Sequence, residues 1–382
     1  DPFNSGDRIS YQLPASIALI DGTTYWWRVR AKDPTGNDSF SPWSDPDSFT
    51  VDTTVTISTW FQTTQAQFRE GEIDGVIAST SDSVELTNVV GEYGTTTLTG
   101  NTWVTIDTEN NYQNMVVVAS PEYAFNGTDN GRTVRVRNKT SNSFQIRVED
   151  EVLPVPGTTQ VDYVVMEAGD WQLDNGAGGV RVIAGTAEDV DEEKGENFGY
   201  DNGQFVPFSP AFGSDPSAIL TVSSDNGDTL VTASMDNNTG NTDSDPPNDN
   251  QIDTNGMYVG LEVSLDTNTR VAEDVDYIVF ERATGTNSGT RFDLLESDDA
   301  VTGTDVPTGV DYNQSFTSAP GVVLAQINGM DGGNGGTVIK DLSVPSSNST
   351  AQFMAIEIPT DDGHTDEQLS IMAFEAGSGN LE

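Results

Sequence analysis

Three stretches, VDYVVMEAG (161–169), VDYIVFERATG (275–285) and LSIMAFEAG (369–377), align without gaps over their first seven positions. Each reads as a strand that ends in a hydrophobe followed by a glutamate: Glu167, Glu281 and Glu375. Upstream of each lies an apolar run: NMVVVASPE (114–122), DPSAILTVSS (215–224) and APGVVLAQIN (319–328). Between run and closing strand comes an aromatic-led strand: FQIRVED (144–150), YVGLEVS (258–264) and FMAIEI (353–358). The glutamates are 114 and 94 residues apart. Three diverged copies of a β-domain of about 100 residues account for this recurrence.

The rest of the chain agrees with a β reading. Apolar residues make up 35% of the 382 positions, with Thr, Ser, Gly, Asn and Asp filling the gap. These residues favour strands and turns over helices. Short apolar runs bounded by Gly, Asn, Asp and Pro recur, and no long stretch shows a 3.6-residue apolar period. The expected fold class is all-β, a tandem series of antiparallel β-sandwich domains.

At the front, DGTTYWWRVRAKD (21–33) alternates. Tyr25, Trp27, Val29 and Ala31 share one face, and Trp26, Arg28 and Arg30 the other. That is a strand with one buried face. Leu19 precedes Tyr25 by six residues, with Asp21-Gly22 turning between them. This arrangement resembles the tyrosine corner of fibronectin type III sandwiches. The following SFSPWSDPDSFTV (39–51) resembles the closing strand of bacterial repeats of that family, with Trp43, Phe49 and Val51 as packing residues. The resemblance covers residues 1–52 and implies only the back half of a sandwich. The missing half is expected either upstream in a longer chain or from a strand donated by another chain.

The expected domain order is therefore 1–52, a partial fibronectin type III-like sandwich; 53–100, a connector and strand-rich segment; and 101–172, the first β-sandwich repeat. The second repeat occupies 173–290, with an acidic insert at 235–256, and the third 291–382. The repeats resemble modules of secreted and cell-surface bacterial proteins, with GHTDEQLSIMAFEAG (363–377) as the best match. They are also loosely similar to H-type lectin domains through SFTSAPGVVLAQI (315–327) and the aromatic strand. That second likeness implies a six-stranded antiparallel sandwich.

Charge narrows the partners. Sixty-one acidic against sixteen basic residues give a formal net charge of −45. Nucleic acid is excluded as a partner, because phosphate contacts need clustered Lys and Arg. Such an excess suits a surface in salty water, where screening is short-ranged. The insert MDNNTGNTDSDPPNDNQIDTNG (235–256) reads either as a solvated loop or as a calcium loop. In the second case Asp243, Asp245, Asp249 and Asp253, with Asn255, supply oxygen ligands. DVDEEKGE (189–196) begins like an EF-hand loop but places Lys194 where that motif needs glycine.

Catalytic constellations lack parts. There is no cysteine, and the single histidine, His364, sits in the polar stretch DDGHTDEQ. No G-x-S-x-G occurs, and a zinc site would need more His or Cys. Recurrence of one glutamate per repeat suits structure better than a single active site. No apolar run reaches the ~20 residues of a membrane-spanning helix. The expectation is a non-enzymatic extracellular protein: a structural or adhesive component of a cell-surface layer, fibre or filamentous appendage. It would self-associate into a homopolymer or bind other cell-surface proteins. The alternative is a carbohydrate-binding accessory region of a secreted polysaccharide-degrading enzyme, with polysaccharide as partner.

Overall fold

Among the described residues, runs of β-branched and aromatic residues, broken by Gly, Asn and Asp, become strands. The computed structural model describes Thr24–Trp27, Asp47–Thr50 and residues 89–382, apart from 125–130, 151–154, 156, 192, 195–203, 228–229, 236–251, 264–270, 302–306, 330–335, 344–345 and 358–365. All regular structure among the described residues is β. The chain divides into two compact units, Asp1–Leu86 and Thr87–Glu382.

In the first unit, β1 (Thr24–Trp27) and β2 (Asp47–Thr50) form an antiparallel pair. Tyr25 stands opposite Phe49 and Trp27 opposite Asp47. They lie within the stretches 21–33 and 39–51. Val29, Trp43 and Val51 lie outside the described residues.

The second unit contains the recurrence. Its first set of strands is β3 (Gly91–Thr99), β4 (Val104–Asp107), β5 (Met115–Tyr123), β6 (Thr133–Arg137), β7 (Ser143–Glu149) and β8 (Thr158–Glu167). The second set is β9 (Gly169–Leu173), β10 (Val180–Val190), β11 (Glu193–Lys194), β12 (Gln204–Pro207), β13 (Ser217–Val222), β14 (Val231–Met235), β15 (Gly256–Val263) and β16 (Glu273–Phe280). The third is β17 (Ala283–Asn287), β18 (Thr290–Glu296), β19 (Thr308–Asp311), β20 (Val322–Gly329), β21 (Gly336–Asp341), β22 (Thr350–Glu357) and β23 (Gln368–Phe374), followed by β24 (Gly379–Leu381).

Register makes the three sets equivalent. Each closing strand, β8, β16 or β23, lies between two antiparallel neighbours. Met166 faces Gly91 and Val116; Phe280 faces Val182 and Ser217; Phe374 faces Phe292 and Val322. One residue later come Glu167, Glu281 and Glu375, whose N–H groups donate to Val90, Arg181 and Arg291. A second recurrence lies at the corner after β4, β12 and β19. Thr108, Phe208 and Tyr312 donate to Asn142, Asn255 and Ser349; Tyr112, Phe212 and Phe316 donate to Ser141, Thr254 and Asn348.

The repeats interlock rather than standing in file. One seven-stranded sheet runs β4-β7-β6-β13-β16-β10-β9, so it passes from the first repeat into the second. Another runs β19-β22-β21-β5-β8-β3-β24 and passes from the third repeat into the first. The crossing pairs, β6–β13 and β21–β5, are parallel. Strand β3, inside the segment 53–100, is an integral part of the first repeat, and the last strand, β24, pairs with it.

Burial follows the same plan. β5 is buried along its full length, so its run of hydrophobes faces protein on both sides. Val116 and Val118 join a central cluster with Ile219, Val322 and Leu324, to which all three repeats contribute. Val117 faces the opposite way, into the first repeat's own core with Phe144, Ile146 and Val165. The second and third repeats have matching private cores, around Val275 and Val279 and around Ile371 and Phe353. Among the described residues the second unit thus has one shared core, three outer ones and a small cluster of Tyr123, Met354 and Ile356.

Candidate functional site: the polar seams between repeats

The strands that meet at the centre expose N–H groups along one edge to the neighbouring repeat. A buried backbone N–H without an acceptor is costly, so the seam must supply acceptors. The closing strands supply them from one register position, four residues before the phenylalanine or methionine. There stand Asp162, Asp276 and Ser370, all completely buried. Asp276 Oδ2 accepts from Val117 N at 2.8 Å, Asp162 Oδ2 from Val323 N at 2.6 Å, and Ser370 Oγ from Ala218 N at 3.2 Å. Repeat two therefore caps repeat one, repeat one caps repeat three, and repeat three caps repeat two. The ring closes.

Two residues further along each edge a second set acts the same way. Thr221 Oγ1 accepts from Ala119 N at 2.8 Å and donates to Ala119 O at 3.3 Å. Ser120 Oγ both accepts from Ala325 N and donates to Ala325 O, each at 3.1 Å. The third member is Gln326, whose longer side chain donates instead to Ala233 O at 3.2 Å. This is also the seam where, among the described residues, no ladder joins β14 to β20. Ser120, Thr133, Thr221, Thr232 and Gln326 help line a cavity of about 30 Å³ there, space for a single water.

Charge enters at two seams. Lys139 Nζ reaches both oxygens of Asp276 at 2.6 and 2.7 Å, and Thr186 Oγ1 donates to the same carboxylate at 2.6 Å. Burial pushes the Asp276 carboxyl above its ordinary range, against the pull of Lys139, Thr186 and Val117 N. Arg135 Nη1 meets Glu273 at 2.8 Å, and Lys340 meets Glu122 across the paired strands β21 and β5. Asp162 is pushed well up by burial, then by the neighbouring Glu122, while Lys340 opposes the shift.

Two of the recurring glutamates hold loops. Glu167 accepts from the N–H groups of Gln113 and Asn114 at 2.6 and 2.9 Å, and Glu375 from Thr317 N and Oγ1. Glu281 accepts from Arg181 N at 3.1 Å. A second carboxylate clamps the same corner in two repeats: Glu92 takes Glu109 N and Asn110 N, and Asp293 takes Asn313 N and Gln314 N. In repeat two the corresponding strand position is Ile183, and the loop carries Pro210, which has no N–H to satisfy. Arg181 instead donates to Pro210 O and Ala211 O.

Of the calcium candidates, Asp243, Asp245 and Asp249 lie outside the described residues. Asp253 is described and exposed; its Oδ1 accepts from Asn255 N at 2.6 Å and Gly256 N at 3.0 Å, the geometry of an Asx turn. Among the described residues no three His, Cys, Asp or Glu side chains come together as a metal site. His364 lies outside the described residues, and Lys194 sits in β11, paired with β15. The seam residues carried no signal as single letters; they stand out only when the repeats are aligned, as a polar column within strands buried on both faces. No protein-family model, curated protein or solved structure matches the chain.

Proposed function

We propose that the chain is a non-enzymatic extracellular protein, a structural or adhesive component of a cell-surface layer, fibre or filamentous appendage. The observation that carries this reading is the closed ring of acceptors across the seams, Asp276 to Val117, Asp162 to Val323 and Ser370 to Ala218. Two of its fully buried carboxylates, Asp162 and Asp276, hold one repeat to another. The end of the chain is tied in as well: Leu381 O accepts from Val90 N, and Glu382 O accepts from Asp174 N and Asn287 Nδ2. Such cross-ties suit a display or force-carrying module, because pulling on one repeat then loads all three. The charge of −45 supports an exposed, saline setting.

Self-association is part of this proposal, with residues 1–52, which carry β1 and β2, as its candidate contact. Electron microscopy of the native material tests this. Filaments or sheets are expected, lost on deleting residues 1–52 while residues 87–382 keep their melting transition. A monodisperse monomer in the native preparation would overturn the reading.

A further inference from the structure

The three repeats serve as internal controls for one another. On the outward face, Thr105 stands opposite Gln145, Phe205 opposite Tyr258, and Gly309 opposite Gln352, all at the same register position. The first member of each pair is exposed and the second half-buried in all three repeats. The fold therefore accepts Thr–Gln and Gly–Gln here, and packing does not require aromatic rings. Repeat two nevertheless places two rings there, 4.9 Å apart and inclined at 44°. Phe205 is 47% exposed. Its ring lies over Gly256, where a Cβ would come within 2.4 Å of it, so the glycine lets the ring lie down against the sheet.

We propose that Phe205 and Tyr258 form a stacking platform for a neutral polysaccharide, an inference that rests on the adhesive reading and names what is adhered to. Two partly exposed rings offer at most about 500 Å², against the roughly 800 Å² per partner of a stable protein interface. The patch matches one or two sugar rings instead. An aromatic face is electron-rich and attracts the C–H groups on the flat side of a pyranose. The charge of −45 repels acidic polymers, and stacking on a C–H face needs no charge on the sugar, so the face suits neutral ones.

Native electrophoresis of the full chain in gels containing laminarin, pullulan, xylan or hydroxyethyl cellulose tests the site, with alginate and choline chloride as contrasting probes. Retardation by at least one neutral polymer is expected. It should weaken about tenfold, a loss of ~1.4 kcal/mol, in Phe205→Thr and in Tyr258→Gln, which carry repeat one's residues. Phe205→Tyr, which keeps a ring, should bind as the parent does. Equal melting temperatures establish that each variant is folded. Three results would overturn the proposal: no retardation by any neutral polymer, undiminished retardation of both ring-loss variants, or ring-dependent binding of choline alone. A chain that polymerises without binding any polymer removes this site and leaves the structural reading intact. Ring-dependent retardation of a monomeric chain supports the site and removes the self-assembly reading.

Discussion

Asp276 joins two repeats through three donors: Val117 N and Lys139 Nζ from the first repeat, and Thr186 Oγ1 from its own. Replacing it with alanine leaves a buried N–H and a partly buried ammonium without their acceptor. A cost of roughly 3–5 kcal/mol is expected in urea denaturation. A loss under about 1 kcal/mol would mean that water takes over the seam. The carboxyls of Asp162, Asp276, Asp293 and Glu296 are all raised, in each case chiefly by burial. A raised folded value means the native state holds protons that the unfolded chain releases. The stability linked to these groups is full below the ordinary carboxylate value, about 4, and is lost as pH rises through their folded values. Glu375, lowered by its bonds from Thr317, works the other way and from an exposed position. The melting temperature should therefore rise as pH is lowered from neutrality towards the ordinary carboxylate value; a fall in calorimetry on that approach would contradict the assignment.

Among the elements, β24 has three residues yet ends in Leu381, which is 1% exposed and belongs to the central cluster. Leu381→Ala should cost roughly 2–5 kcal/mol, as much as a mid-core substitution, although it lies next to the chain end. Calorimetry decides between this and the small effect expected of a frayed terminus. The strand-level pattern was legible in the sequence because it is periodic: the closing strands, the apolar runs and the glutamates all fall at matching register. The crossings between repeats were not legible. Alternation shows which residues share a face, but β5 is apolar on both faces, and a run of that kind does not say whether its second face meets its own domain or another. Nor did single-letter reading distinguish Asp162 and Asp276 from the other acids, in a chain with sixty-one of them. Phe205 escaped for a different reason: it stands among the apolar residues Val206 and Phe208, and only comparison with Thr105 and Gly309 marks it as outward.

For the whole molecule the dominant long-range term is self-repulsion. Sixteen bases cannot neutralise sixty-one acids, and several of those bases are committed to the seams: Arg135 to Glu273, Lys139 to Asp276 and Lys340 to Glu122. The surface is left with an even larger relative excess of carboxylate. Folding gathers that charge, while unfolding spreads it, so the repulsion acts against the native state. Salt shortens its range, from a Debye length of about 10 Å at 0.1 M to about 3 Å at 1 M. The buried seam pairs are screened much less, so their contribution should survive. The melting temperature should therefore climb with sodium chloride over this range, and potassium chloride should give the same curve. Calcium at matched ionic strength separates screening from binding. If Asp243, Asp245, Asp249 and Asp253 hold the ion, calcium should add a further rise that excess chelator reverses, by mass action on the folded form. Coincident curves for calcium and sodium would leave the insert as surface charge. A melting temperature that falls with sodium chloride would mean that exposed ion pairs, not repulsion, dominate the surface.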